Sequence, residues 1–429
     1  MASSVKLVAK GQLRGRVQVP PSKSYTHRAV IMAGLSRGRS RVDSPLLSRD
    51  TLATIEACRA MGAELEESGA SLTISGSEPH ASEDVVNVEN SGTTLRFMTS
   101  VFSLPERGLT ILTGDESIRR RPMGTLLDAL AMLGANARSA RGNGCAPIIV
   151  GEGGLAGGTA EVRGGVSSQF ISSILISAPL GRGNVRLQVS NAVSRPYIDA
   201  TLKLSELHGV QVRRDGYSDF SVESGQEYKA CDFSIPGDFS SASFIMGAVA
   251  LVGGEVELGG LTTALPQGDS AIVELLRRLG VEVVQRPGSI LVRSDGDKLR
   301  GGKFDLSDTP DLLPVLGALA LKCDGPLEVS GVAHARYKET DRISVTAEGL
   351  AKVGAKIDER PDGLRITGPS HLLPAALNAH EDHRMFMAFS LASLLLPTGI
   401  PVVGSESLDV SYPSFLADMQ RLGASVEMA

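Results

Sequence analysis

Apolar and polar positions along the chain form a pattern that recurs six times. In each copy, an amphipathic stretch with helical spacing ends at a glycine and leads into a short alternating strand, as in Leu130-Ala-Met-Leu-Gly134-Ala-Asn-Ala. Glycine at such a point supplies the left-handed conformation that commonly ends a helix. The six glycines lie 69 to 75 residues apart and are Gly62, Gly134, Gly209, Gly280, Gly354 and Gly423. This period indicates six copies of one structural unit.

A second, more apolar helix is predicted in each unit, and each begins at polar residues. Ser, Thr and Asp are favoured there because their side chains accept hydrogen bonds from unpaired backbone N–H groups. The predicted starts are at Ser22, Ser91, Ser167, Ser240, Asp308 and Asp382. With the short strands between them, each unit should hold two helices and four strands. Six such units exceed one hydrophobic core, which stops growing near about 250–300 residues. We therefore expect an α/β protein with two domains of three units each.

Composition excludes several classes of function. The 43 Lys and Arg against 48 Asp and Glu give a net charge of −5, and aromatic residues are only 4%, which argues against a nucleic-acid partner. The longest apolar run, 385–396, is shorter than the about 18–20 residues that span a membrane. The four cysteines are far apart and show no metal-ligand spacing, which is typical of a cytoplasmic protein. His380 and His383 lack an evident third ligand, so no metal is expected.

Cations nevertheless recur in or near the helix starts, where backbone N–H groups favour anions. They are Lys23, Arg28, Arg96, Arg121, Lys338, Arg342 and Arg384. Any one of them could be an ordinary solvated surface residue. Their recurrence at equivalent places in different units favours a phosphate or carboxylate site. Two acids lie among them: Asp311 is either a helix cap or a general acid or base, and Glu339 is either half of a surface ion pair or a second such group.

These motifs together resemble those of the enolpyruvyl transferase family, and within it the branch that acts on shikimate 3-phosphate. The resemblance covers the whole chain and is most specific in Pro21-Ser-Lys-Ser with Arg28, Asn90-Ser-Gly-Thr with Arg96, Arg121-Pro122, Ser167-Ser-Gln169, Ser194-Arg-Pro-Tyr197, Asp311, Lys338-Glu-Thr-Asp-Arg342 and Asp382-His-Arg384. It implies two similar domains, each of three βαβαββ units, with the active site in the interdomain cleft. The implied domains are 20–237, on the shikimate 3-phosphate side, and 1–19 plus 238–429.

The resemblance also implies a reaction and its residues. The carboxyvinyl group of phosphoenolpyruvate would move to the 5-hydroxyl of shikimate 3-phosphate, releasing phosphate, in a monomer without cofactors. Shikimate 3-phosphate would be held by Ser24, Arg28, Ser167, Ser168, Gln169, Ser194 and Tyr197. Phosphoenolpyruvate would be held by Gly92, Arg121, Arg342 and Arg384, and Lys23 would touch both substrates. Asp311 is expected to act as base toward the hydroxyl, and Glu339, assisted by Lys23 and Lys338, to handle the methylene proton.

Three positions depart from the pattern of many bacterial members of the family. Val410 stands in place of a lysine, His334 in place of an asparagine, and Phe97 in place of a proline. Gly92 leaves space for a glyphosate-like analogue, so sensitivity to such inhibitors is a hypothesis.

Three alternative functions stay open. A sister family that acts on UDP-N-acetylglucosamine shows Asn after the first Lys and usually a loop Cys, whereas here Ser24 follows Lys23 and residues 114–121 contain no Cys. A non-catalytic anion-binding scaffold would bind phosphate without turnover. An RNA-processing enzyme of related build is disfavoured by the net charge and the few aromatic residues.

Overall fold

The computed structural model describes residues 3–428. The chain divides into two compact units: domain I is Pro21–Ile235, and domain II is Met1–Pro20 together with Pro236–Ala429. Each domain contains three four-stranded sheets. The assignment of shikimate 3-phosphate to domain I stays a prediction.

Both domains contain helices separated by one to three strands. Two N-terminal strands belong to domain II: β1 (Ser4–Ala9) and β2 (Leu13–Gln18). Domain I contains α1 (Lys23–Gly34), β3 (Arg39–Asp43), α2 (Arg49–Ala60), β4 (Glu64–Ser68), β5 (Ser71–Ser75), β6 (Val86–Asn87), α3 (Gly92–Val101), β7 (Leu109–Thr113), α4 (Gly124–Met132), β8 (Ala137–Ser139), β9 (Ile148–Gly151), β10 (Gly158–Arg163), α5 (Ser168–Ser177), β11 (Val185–Ser190), α6 (Arg195–Leu207), β12 (Val212–Asp215), β13 (Asp219–Val222) and β14 (Phe233–Ser234). Domain II continues with α7 (Phe239–Val252), β15 (Gly254–Gly259), α8 (Ile272–Leu279), β16 (Glu282–Arg286), β17 (Ser289–Ser294), β18 (Leu299–Asp305), α9 (Leu313–Ala320), β19 (Cys323–Ser330), α10 (Arg342–Lys352), β20 (Lys356–Arg360), β21 (Gly363–Thr367), β22 (Leu377–Asn378), α11 (His383–Ser393), β23 (Val402–Val403), α12 (Phe415–Arg421) and β24 (Ala424–Met428).

The sheets share one arrangement, which the third unit illustrates. Strands β10 and β11 pair in parallel because α5 crosses between them, and β13 lies antiparallel between β11 and β12. Alternate residues of β11, from Val185 to Val189, are buried, as the period of a half-buried strand requires. The predicted two-domain α/β fold of βαβαββ units is confirmed.

Three sheets are completed by strands from a distant part of the chain. In the first unit, β14 pairs in parallel with β3, matching Phe233 with Val42. In the fourth unit, β2 pairs in parallel with β15. In the sixth unit, β1 lies antiparallel between β23 and β24. The six evenly spaced glycines therefore mark repeated segments, but three of those segments are not complete units on their own.

The predicted helix ends and most of the helix starts are observed. All six repeat glycines have φ between +82° and +110° at the ends of α2, α4, α6, α8, α10 and α12. Ser22, Ser91, Ser167 and Asp382 cap α1, α3, α5 and α11. The expected start at Ser240 is wrong by two residues, because the carboxylate of Asp238 accepts from the Ser240 backbone N–H and begins α7 there.

The cores of the two domains consist largely of buried helices. In domain II, α7, α9 and α11 contact one another, and nearly all of their residues are buried. The apolar run at 385–396 falls mainly in α11, which explains its composition. In domain I, α3 packs on α5, and α1 packs on α2 and α6. Within residues 3–428, every helix is too short or too polar to cross a membrane.

Candidate active site

Arg28 is the most deeply buried cation of domain I. Its Nε donates to Thr201 Oγ1 at 2.8 Å, and its terminal nitrogens donate to the carbonyl oxygens of Ser24 and Tyr197 at 2.9 and 3.0 Å. The guanidinium lies 5.1 Å from the ring centroid of Phe97, so the residue that departs from the bacterial pattern packs on this arginine. Burial lowers the pKa of Arg28 to about 10. A buried charge on neutral acceptors favours the binding of an anion.

Gly92 opens α3 between two more guanidinium groups. A Cβ at this position would lie 2.6 Å from Nη1 of Arg121 and 3.3 Å from Nη1 of Arg96. Arg121 donates through Nη2 to Asn90 Oδ1 at 2.8 Å and to Ser117 Oγ at 3.1 Å, both neutral acceptors. A side chain at 92 would displace the end of Arg121, so the close approach of that arginine, and not backbone strain, favours glycine here.

The start of α5 is joined to the start of α3. Arg96 Nη1 donates to Gln169 Oε1 at 2.6 Å, and Gln169 Nε2 donates to Thr93 Oγ1 at 2.8 Å. Ser167 Oγ accepts from the backbone N–H of Gln169 at 3.2 Å, and Ser168 is buried beside it. The predicted motif residues of the second and third units therefore lie together.

Ser194 and Tyr197 lie at the start of α6. Ser194 has a left-handed backbone with φ of +51°, which is uncommon outside glycine and costs free energy. The carbonyl oxygen of Tyr197 accepts from Arg28, so this helix start lies beside the buried arginine. Strained residues of this kind are concentrated at ligand-binding positions.

Lys23 forms a salt bridge that the sequence did not predict. Its Nζ lies 3.0 Å from Oδ2 of Asp50, and the two side chains are only 12% and 3% exposed. Asp50 follows the helix-capping residue Ser48, where an acidic residue is ordinary and carries no functional signal. We call Lys23, Arg28, Arg96 and Arg121 the domain I cluster.

Arg342 is the centre of a second group, in domain II. It is fully buried, and three carboxylates accept from it. Its Nε donates to Asp382 Oδ2 at 2.7 Å, its Nη1 to Asp311 Oδ1 at 2.6 Å and its Nη2 to Glu339 Oε2 at 2.7 Å. Burial by itself would lower the pKa of Arg342, but the three carboxylates raise it well above its usual value. Glu339 is therefore half of a buried ion pair, not of a surface pair.

Asp311 bonds to cations and does not cap a helix. Its carboxylate lies 3.2 Å from Arg384 Nη2 and 3.6 Å from Lys338 Nζ, in addition to Arg342. Burial opposes its ionisation, yet Arg384, Lys338 and Arg342 hold the pKa of Asp311 far below its usual value. The cap alternative is wrong, since the short 3-10 helix Pro310–Leu312 has no side-chain cap bond. Asp311, Lys338, Glu339, Arg342 and Arg384 form the domain II cluster.

Two further titratable groups lie near the domain II cluster. Burial, reinforced by Asp311, raises the pKa of Asp269 to about 6, and the hydroxyl of Ser240 donates to its carboxylate. Burial, reinforced by Lys338, lowers the pKa of His334 to about 4, so this histidine is neutral at pH 7. Sequence reasoning missed Asp269, which lies in a short polar segment without a recognisable motif.

Three other residues noted in the sequence are Val410, which departs from the bacterial pattern, and the two histidines that lack a third metal ligand, His380 and His383. Val410 is buried at the end of the 3-10 helix Ser405–Val410. His383 is buried, and its Nε2 lies 3.0 Å from Arg384 Nη1, whereas His380 lies in a turn with φ of +51°. Among residues 3–428, no three His, Cys, Asp or Glu side chains are grouped so as to hold a metal ion.

The repeated fold and its cation-rich helix starts are those of the enolpyruvyl transferase class. The sequence model of the family described as EPSP synthase (3-phosphoshikimate 1-carboxyvinyltransferase) matches residues 8–419, and the chain belongs to that family of enzymes.

Individual relatives agree over nearly the full length. A 3-phosphoshikimate 1-carboxyvinyltransferase from Methanothrix thermoacetophila is 46% identical over 423 residues, covering 98% of both chains. One from Methanocella arvoryzae is 41% identical over 424 residues, covering 98% of this chain and 99% of the relative. A solved structure of EPSP synthase from Acinetobacter baumannii superposes with a TM-score of 0.83 at 25% identity and covers 100% of both chains.

Proposed function

We propose that this protein transfers the carboxyvinyl group of phosphoenolpyruvate to the 5-hydroxyl of shikimate 3-phosphate, with release of phosphate. The observation that carries the proposal is the pair of buried arginines, Arg28 and Arg121, whose guanidinium groups donate to neutral acceptors. Each substrate carries a carboxylate and a phosphate, and guanidinium groups bind both bidentately. The activity is also the one that the relatives' names state.

Domain I is proposed to supply most of the contacts to shikimate 3-phosphate. Arg28 would bind it from α1, and the starts of α5 and α6 would bind it with backbone N–H groups and hydroxyls. The residues assigned to this substrate are Ser24, Arg28, Ser167, Ser168, Gln169, Ser194 and Tyr197. Gly92 and Arg121 are assigned to phosphoenolpyruvate, and Lys23 is assigned to both substrates.

Domain II is proposed to supply Arg342 and Arg384 to phosphoenolpyruvate and Asp311 to the acceptor hydroxyl. Asp311 takes the hydroxyl proton while the oxygen bonds to C2 of phosphoenolpyruvate. A proton from the ammonium group of Lys23 or Lys338, passed on by Glu339, reaches the methylene carbon. The resulting tetrahedral adduct then loses a proton from that methyl carbon to Glu339 as the C2–O bond to phosphate breaks. The cations stabilise the negative charge that develops on the leaving phosphate.

In the proposed mechanism, the low pKa of Asp311 belongs to the protein without substrate and rises when substrate binds. A carboxylate held so firmly by three cations is a weak base. When Arg384 and Lys338 turn to an incoming anion, Asp311 loses part of that stabilisation and its pKa rises. Substrate binding would thereby make Asp311 a stronger base at the moment when it is needed.

The test is phosphate release from phosphoenolpyruvate with shikimate 3-phosphate, with UDP-N-acetylglucosamine, and with neither. We expect phosphate to be released from phosphoenolpyruvate only in the mixture that contains shikimate 3-phosphate. Release only with the nucleotide sugar would favour the sister activity, and tight phosphate binding without turnover would favour a scaffold. We further propose a cytoplasmic monomer, supported by four free cysteines; light scattering of the purified protein at one chain mass would support the monomer.

A further inference from the structure

Four hydrogen-bonded side chains form a buried chain in domain I. Nδ1 of His27 lies 2.6 Å from Thr54 Oγ1, which lies 2.6 Å from Thr94 Oγ1, which in turn lies 2.6 Å from Ser91 Oγ. All four residues are at most 1% exposed. The reaction proposed above uses none of them. We call them the hydroxyl chain.

Two polar contacts join α1 to α2: the Lys23–Asp50 salt bridge, and the His27–Thr54 contact with which the hydroxyl chain begins. Lys23 on α1 pairs with Asp50 on α2 at 3.0 Å. His27 lies four residues after Lys23, and Thr54 lies four residues after Asp50, so each follows on the same helical face. The two helices are therefore joined by two polar contacts one turn apart, and the first of them holds Lys23.

The hydroxyl chain then connects α2 to the start of α3. Thr94 bonds to Thr54 and also lies 3.4 Å from the carbonyl oxygen of Asp50. At its far end, Ser91 caps α3 by accepting from the Thr94 backbone N–H at 3.2 Å, and Ser91 directly precedes Gly92. The position of Gly92 is thus tied to α2, which in turn holds Lys23.

One direction of hydrogen bonding satisfies this chain best. Burial, with Lys23 and Arg28 nearby, lowers the pKa of His27 well below its ordinary value, so the ring is neutral. Nε2 of His27 is buried and has no hydrogen-bond partner among residues 3–428. A buried lone pair costs less than a buried N–H, so the proton lies on Nδ1 and is donated to Thr54. Thr54 can then donate to Thr94, whose single hydroxyl hydrogen can go to Ser91 at 2.6 Å or to the Asp50 carbonyl oxygen at 3.4 Å.

We propose that the hydroxyl chain positions Gly92 relative to Lys23 and thereby sets the affinity for phosphoenolpyruvate. The inference rests on the proposed function, because it takes Gly92 and Lys23 as ligands of that substrate. The four members are positioning residues that do not touch substrate. The ligands assigned to shikimate 3-phosphate lie on α1 and at the starts of α5 and α6, not on α3. Loosening the start of α3 should therefore affect mainly the binding of phosphoenolpyruvate.

The test removes one hydroxyl without changing the shape of its side chain. In Thr94→Val we expect the KM for phosphoenolpyruvate to rise about five- to tenfold, while kcat and the KM for shikimate 3-phosphate stay within about twofold. Thr94→Ser restores the hydroxyl and should return the KM to near the wild-type value. Thr99→Val is the matched control, because Thr99 is equally buried on α3 but donates only to the Leu95 carbonyl at 2.7 Å. It should change neither KM.

A second pair of variants tests the other end of the chain. His27→Asn keeps an N–H donor toward Thr54 and should behave like wild type, whereas His27→Leu should raise the KM for phosphoenolpyruvate as Thr94→Val does. If wild type turns over but Thr94→Val and His27→Leu leave that KM unchanged, or lower kcat and raise both KM values together, the inference is wrong. Absence of turnover in wild type would instead overturn the proposed function.

Discussion

Arg28 in domain I and Arg342 in domain II are equally buried arginines in opposite electrostatic surroundings. Arg28 donates to a hydroxyl and two carbonyl oxygens, and burial lowers its pKa to about 10. Arg342 donates to three carboxylates, which raise its pKa. The positive charge of Arg28 therefore has no carboxylate bonded to it, whereas carboxylates neutralise the positive charge of Arg342.

The difference indicates two separate tasks. An anion that reaches Arg28 supplies the missing charge, so binding there adds a favourable interaction. An anion that reaches Arg342 and Arg384 must compete with Asp311, so binding there releases a carboxylate. We infer that the domain I cluster mainly holds substrate, whereas the domain II cluster converts the arrival of substrate into proton transfer.

The largest expected effect comes from Asp311→Asn. Because the amide cannot accept the hydroxyl proton, turnover should fall by about 10²- to 10⁴-fold while substrate binding persists. Phosphate release and calorimetric binding measure the two quantities. Asp418→Asn is the control, since Asp418 is a buried acid paired with Arg421 at 3.0 Å and has no assigned role. Turnover near the wild-type value in Asp311→Asn would remove Asp311 from the mechanism.

Replacing each buried arginine by Met tests the comparison directly. Arg342→Met leaves three buried carboxylates without their partner and should lower the free energy of unfolding by about 3–5 kcal/mol. Arg28→Met removes an uncompensated charge together with its hydrogen bonds, so the loss should be only about 1–2 kcal/mol. Urea denaturation without substrates measures both values. Equal losses of unfolding free energy in the two variants would contradict the conclusion that carboxylates neutralise Arg342 but not Arg28.

The pH dependence of stability tests the electrostatic surroundings of the domain II cluster through His334, which lies near Lys338 and Asp311. Its pKa of about 4 in the fold lies below that of an exposed histidine, so the unfolded chain binds a proton first as the pH falls. Stability from this residue is complete above about pH 6.5 and is lost toward pH 4, by on the order of 3 kcal/mol. His334→Asn should show a smaller loss of unfolding free energy between pH 7 and pH 4.5. An unchanged loss would contradict a lowered pKa of His334 in the fold.

The smallest effect is expected for Gly92→Ala. The added methyl group would meet Nη1 of Arg121 at 2.6 Å, and because that atom ends a flexible side chain it can move aside. The KM for phosphoenolpyruvate should rise about tenfold, since a charged hydrogen bond that is displaced but not lost costs no more than the low end of the range of about 1.5–3 kcal/mol, and the KM for shikimate 3-phosphate should stay constant. Steady-state kinetics in both substrates decide this. A phosphonate analogue that is bulkier than phosphoenolpyruvate should lose still more affinity for the Gly92→Ala variant.

The sequence predicts the fold where the signal is local. The helix-ending glycines and the polar helix starts are read within a few residues, so the repeat and the two domains follow from them. The strand at Phe233–Ser234 could not be predicted, because two residues show no alternation and their partner is β3, far along the chain. Local patterning has the same limit at β1 and β2, whose partners lie beyond the middle of the sequence, although the family resemblance implies that residues 1–19 belong with 238–429.

The candidate site was predictable to a similar extent. Arg28, Arg121 and Arg342 lie in recognisable motifs, and their burial agrees with a role in binding. Asp50 was missed because an acid in the first turn of a helix is ordinary, and only the folded chain brings it to Lys23. The cations that hold Asp311 likewise come from different segments, since Arg342 begins α10, Arg384 lies on α11 and Lys338 lies in the bend before α10. Their joint effect on its pKa therefore depends on tertiary structure.

The pairing of β1 and β2 with strands of domain II that lie far along the chain has a consequence for folding during biosynthesis. Domain I holds every strand of its three sheets within 21–235, so it can fold while the ribosome is still making the rest of the chain. Strands β1 and β2 emerge first but pair with β15, β23 and β24, which emerge later. Strand β2 must therefore stay unpaired until β15 has been made, and β1 until β23 has been made. A nascent chain arrested after domain I should already resist proteolysis, while the segment that holds β1 and β2 is still cut.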